Sequence, residues 1–135
     1  MRGLLADISA QGQVEILRLI FESEGWRDFW QPLGLRVRTF ADEGLAPSAS
    51  DAVVWRLCQQ QGLVLITGNR NAEGPDSLEE TIRRENQPDS LPVFTLADIE
   101  AIRHSRAYAE RVVERALDYL MEIDRVRGAG RLYLP

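Results

Sequence analysis

At 135 residues, 44% hydrophobic and 27% charged, the chain has an ordinary globular composition and the length of one domain, 1–135, with a core that needs no disulfide or metal staple. The net charge of −5 argues against coating nucleic acid through bulk charge, because counterion release needs a positive surface, and leaves room only for a local basic groove. All 16 basic residues are arginine, which excludes Schiff-base and phosphate-binding lysine chemistry and makes every cation a planar fork suited to carboxylate or phosphate.

The single His104 and single Cys58 exclude a Cys/His zinc site and an internal disulfide, and they disfavour a Ser-His-Asp triad. Neither a signal peptide nor an apolar run of membrane-spanning length is present, so a cytoplasmic protein with no membrane partner is expected.

Leu4-Leu5-Ala6-Asp7 is a first strand closing on an acid. Val14 to Glu24 has helical periodicity, with Val14, Leu17, Ile20 and Phe21 on its apolar side, and Gly25 ends it. Trp26, Phe29 and Trp30 fall within a segment expected to be a core-covering loop ending near Pro32, with a base-stacking platform as the alternative. Leu35 to Phe40 alternates apolar and basic residues, as a half-exposed strand does.

After the loop from Asp42 to Pro47, Ser48 or Ser50 caps a helix with Asp51 in its first turn, where the helix dipole favours a carboxylate. Val54, Leu57 and Cys58 form its buried face. Val64-Leu65-Ile66-Thr67 then reads as a strand buried on both faces, and the switch to Gly68-Asn69-Arg70-Asn71 as the loop beyond its C-terminal end. In an open parallel sheet that edge is where ligands are held. The Asn69 and Asn71 amides suit a phosphate, a hydrated metal or a base edge, yet carry no charge.

Ser77 with Glu80 is a capping-box pattern for a helix to about Asn86. Leu91 to Thr95 is a fourth strand, and Thr95 with Asp98 caps a short helix through Arg103. Ser105 opens the longest helix, to about Val126. Its stripe of Tyr108, Val112, Ala116 and Leu120, flanked by Ala109, Val113 and Leu117, packs on the sheet or pairs with a second copy in a homodimer. Glu110, Arg111, Glu114, Arg115 and Asp118 form a solvated face with i,i+3 ion pairs. Leu132 to Leu134 is a small final strand. The alternation implies an α/β fold, three-layer α/β/α, around a mainly parallel sheet of four to five strands.

Three segments carry a resemblance: Leu4-Leu5-Ala6-Asp7, Gly44-Leu45-Ala46-Pro47-Ser48-Ala49-Ser50-Asp51, and Thr67-Gly68-Asn69-Arg70-Asn71. In this order the chain resembles the PIN-like nuclease superfamily, in particular its small stand-alone bacterial branch related to toxin-type ribonucleases and the Mut7-C domain. The likeness covers about the first 71 residues.

The resemblance implies a PIN-like fold and a metal-dependent ribonuclease in which clustered carboxylates hold Mg2+ or Mn2+ and activate water against a phosphodiester. It implies Asp7, Asp51, Asn69 and Asn71 as catalytic positions, with Asp7, Asp51 and Asn69 as metal ligands, and Glu73 or Asp76 as sources of restored charge. Thr67 and Arg70 are the substrate-binding positions, and RNA and a small antitoxin-like protein the partners. Asn69 and Asn71 stand where the family has aspartates, so two negative charges are missing and metal affinity is expected to fall.

The competing expectation is a catalytically inactive PIN-like domain that binds RNA, a nucleotide or a protein partner at the same cleft. An unrelated Rossmann-like nucleotide-binding domain is the third reading, weakened because no G-x-G-x-x-G follows any strand.

Overall fold

The computed structural model describes residues 1–70 and 72–135. The protein is an α/β fold with strands β1 (Gly3–Ala6), β2 (Arg36–Arg38), β3 (Leu63–Thr67), β4 (Val93–Leu96) and β5 (Arg131–Leu134) in one sheet, ordered β2-β1-β3-β4-β5. Every neighbouring pair is parallel. An all-parallel sheet has to be covered on both faces, and here each face has its own apolar core.

The helices are α1 (Gln11–Phe21), α2 (Arg27–Trp30), α3 (Asp51–Gln61), α4 (Leu78–Glu85), α5 (Ile99–His104), α6 (Arg106–Met121) and α7 (Ile123–Val126). On one face Leu4, Val64, Ile66 and Phe94 pack under α1, α5 and α6; on the other Leu5, Leu63, Leu65 and Val93 pack under α3 and α4. The period-2 alternation of strand side chains produces this division. No helix among the described residues is long and apolar enough to cross a membrane.

Several local expectations are corrected, and two capping expectations are narrowed to one residue each. The segment after Gly25 is helical, α2 followed by a 3-10 turn at Gln31–Leu33, because Trp30 turns inward and stacks on Phe21 with centroids 4.3 Å apart. Phe29 is left half-exposed. β2 spans three residues, shorter than expected, because as an edge strand it has a partner on one side only. Ser50 is the cap of α3, its hydroxyl accepting from Val53 N at 3.3 Å. Asp98 alone caps α5 through Ala101 N at 3.0 Å, while Thr95 is buried within the sheet.

The last long helix breaks at Glu122, whose φ of −120° and ψ of 33° leave helical geometry. The chain then reverses through α7 into β5. The apolar stripe of α6 is buried in this chain's own core, so it is unavailable to a second copy. On the outer face Arg111 and Arg115 lie over the rings of Tyr108 and Tyr119 at 5.8 and 5.9 Å, in place of the expected i,i+3 ion pairs. Arg106 pairs with Glu110 at i,i+4, 3.3 Å.

Cys58 on α3 is 1% exposed, and burial pushes its thiol up to about 12. Since the thiolate is the reactive form, a thiol reagent at pH 8 is expected to leave the native protein unmodified and to titrate one thiol per chain in denaturant. Stoichiometric labelling of the folded protein within minutes would contradict the packing of α3.

Candidate functional site

The C-terminal ends of β1 and β3 lie side by side because the two strands pair from Gly3↔Leu63 to Ala6↔Ile66. Asp7 continues this register through its N–H, which donates to Ile66 O at 2.9 Å. Its carboxylate is thereby aligned with Thr67, whose hydroxyl donates to Asp7 Oδ2 at 2.6 Å and accepts from Asn69 N at 2.9 Å. Asp7 Oδ1 accepts from Ile8 N at 2.8 Å, and Ser9 Oγ donates to Oδ2 at 3.2 Å.

Asp51 arrives from the first turn of α3. Its Oδ2 accepts from Asn69 Nδ2 at 2.9 Å and from Leu78 N, at the start of α4, at 3.0 Å. Asp7, Thr67, Asn69 and Asp51 therefore form one hydrogen-bonded chain across the rim of the sheet. Three of the four expected catalytic positions meet there; Asn71 lies outside the described residues. Gly68 lets the loop leave the strand close to α5, since a Cβ there would sit 2.0 Å from Ile99 Cδ1.

Thr67, expected to touch substrate, is fully buried and serves as the internal link between Asp7 and the Asn69 backbone. Arg70 is exposed; its Nη2 donates to Ala97 O at 2.6 Å, and its guanidinium lies 5.4 Å from the ring centroid of Tyr133, itself 52% exposed. Glu73 and Asp76 are exposed residues of the loop before α4.

A divalent cation at this rim would meet two carboxylates, Asp7 and Asp51, and one neutral amide, Asn69. Both Asp7 oxygens and one Asp51 oxygen already accept protein hydrogen bonds, and the amide aimed at Asp51 is a donor with no charge to contribute. Among the described residues no group of three or more His, Cys, Asp or Glu side chains is placed to hold a metal.

Sequence reasoning missed the cation beneath this loop. Arg131, at the head of β5, keeps only 8% of its side chain exposed. Its Nη1 donates to Asn69 O at 2.8 Å and to Thr95 Oγ1 at 2.7 Å, while its Nε faces Glu79 Oε1 at 3.3 Å. Its Nη2 is buried with no hydrogen-bond partner among the described residues. The one sequence signal was a lone charge heading an otherwise apolar strand. No family model, curated protein or solved structure matches this chain.

Proposed function

We propose that this is a PIN-like domain that keeps the rim of a metal nuclease without its metal chemistry, and that it binds single-stranded RNA there without cutting it. The observation that carries this reading is the 2.9 Å hydrogen bond from the Asn69 amide to Asp51. Where a nuclease needs a further carboxylate, this chain has a neutral donor that satisfies the carboxylate already present. The meeting of Asp7, Asp51 and Asn69 supports the PIN-like lineage.

RNA is supported by the half-exposed Tyr133 ring with Arg70 beside it, a stacking surface next to amide and carboxylate groups able to pair with a base edge. The net charge of −5 makes that binding weak and steeply salt-dependent.

Fluorescence anisotropy with labelled single-stranded RNA at low salt and in EDTA is expected to show binding, weakened about tenfold by Tyr133→Ala. Added Mn2+ should leave both the RNA and the melting temperature of the protein unchanged. Asn69→Asp sets a second carboxylate against Asp51, so the variant should be less stable alone and regain several degrees with Mn2+, roughly as expected for ligand linkage. Mn2+-dependent cleavage by the unaltered protein, lost in Asp7→Asn, would return the site to catalysis; absence of RNA binding in EDTA would remove RNA as the ligand.

A further inference from the structure

A cavity lies away from the rim. It is an open cleft of about 540 Å³ at the N-terminal ends of the strands, lined by Arg2, Arg36, Arg38, Glu43, Gln61 and Leu63 among others. Gly3 pairs with both Arg36 and Leu63, whereas Asp7 and Thr67 lie at the other end of the same strands, roughly 13 Å away at the usual rise per residue. The cleft and the rim are separate surfaces.

Its electrostatics run against those of the whole chain. A protein of net charge −5 places three guanidinium groups around one cleft, opposed by the Glu43 carboxylate in its lining and by the neighbouring Asp42 carboxylate, which also acts on Arg38. Glu43 is committed to Arg38 Nε at 2.7 Å, and Arg38 Nη2 donates to Asp42 O at 3.2 Å. Arg2 Nη1 is held by Gln61 Oε1 at 3.1 Å. The Arg36 guanidinium is exposed and makes no hydrogen bond or ion pair with a described residue.

Each arginine thus keeps N–H donors directed to no acceptor among the described residues, and two of the three are fixed in position by neighbours. Arg36 and Arg38, two apart on a strand, project to the same side about 7 Å apart. Several forks at that spacing match an anion with more than one charged group, and guanidinium pairs best with phosphate or carboxylate in bidentate geometry. A cleft of this volume accommodates a small ligand.

We propose that the cleft bounded by Arg2, Arg36 and Arg38 binds an oligophosphate, either free or as the phosphate chain of a nucleotide, independently of the rim site. The open geometry suits a ligand whose charged end is held by the arginines while the remainder stays in solvent. Phosphate is favoured over carboxylate because a phosphate chain offers charged oxygens at the repeat needed to engage adjacent forks.

Isothermal titration calorimetry at low ionic strength, with tripolyphosphate, ATP and citrate as probes, tests this. Tripolyphosphate is expected to bind with Kd of about 1 mM or tighter. Arg36→Gln, which removes an exposed side chain with no side-chain partner among the described residues, should weaken it about tenfold with an unchanged thermal melt; Arg2→Gln should act in the same direction. Arg83→Gln, on α4, should leave it unchanged. ATP that competes with tripolyphosphate identifies a nucleotide source, and tripolyphosphate binding without ATP binding identifies a free oligophosphate; both support the site. No binding of either phosphate probe, citrate binding as tightly as tripolyphosphate, or an Arg36→Gln variant of unaltered affinity would overturn it.

Discussion

Arg131→Ala is expected to lower stability by about 3 kcal/mol, the usual scale for removing one partner from a buried, hydrogen-bonded charge network. The guanidinium ties β5 to both Thr95 in β4 and the carbonyl of Asn69 in the rim loop. Its removal leaves a buried hydroxyl and a loop carbonyl without this donor and opens a cavity in their midst. For a chain of this length that loss corresponds to a fall in melting temperature on the order of 10 °C.

A second readout separates local from global effects. Hydrogen exchange at the Asn69 and Leu78 amides, which donate to Thr67 Oγ1 and Asp51 Oδ2, should accelerate more than exchange at Phe94 in the core. Arg131→Met, which restores volume but no donors, should recover part of the stability and none of the protection at Asn69. A loss below about 1 kcal/mol for the alanine variant would mean that the guanidinium does not pin the loop.

Gly3→Ala should be at least as damaging, for a steric reason. A Cβ at Gly3 would lie 2.1 Å from the carbonyl oxygen of Arg36 and 3.0 Å from its carbonyl carbon, both backbone atoms that no rotamer change can move. Relief requires β2 to draw away from β1, its sole strand partner. A cost of about 3 kcal/mol in urea unfolding is expected, at the upper end of overpacking effects. Because Arg36 and Arg38 ride on β2, tripolyphosphate affinity should fall with it. Gly12→Ala is the contrast: its Cβ meets only the tip of the Arg103 side chain at 3.0 Å, and within α1 the change should be neutral or stabilising by roughly 0.5 kcal/mol. Equal stability of the Gly3 and Gly12 variants would show that β2 does not approach β1 as described.

What could be read in advance followed from burial. The apolar run Val64 to Ile66 marks a strand covered on both faces, and the stripe from Ala109 to Leu120 marks the helix lying over it; both belong to elements whose periodicity is imposed by the core. The approach of Asp7 and Asp51 to Asn69 was legible because strand ends and helix starts of a parallel sheet share one edge. Arg131 was not, because its role depends on β5 docking against β4 and on a contact 62 residues away in sequence. The helical turn at Trp26 to Trp30 was missed for a related reason: the stacking of Trp30 on Phe21 is a tertiary contact, and a four-residue helix has too few positions to display a period. The basic cleft likewise joins Arg2 to Arg36 and Arg38, neighbours only once β1 and β2 pair.

The docking of β5 also sets an order of events on the ribosome. Because the guanidinium beneath the rim comes from residue 131, while the groups it steadies come from residues 69, 79 and 95, the early two thirds of the polypeptide can emerge and collapse with that edge still loose. The cleft at the opposite end draws on residues 1 to 63 and can close long before. A nascent chain stalled ahead of Arg131 should therefore acquire oligophosphate binding while the opposite rim is still unsettled.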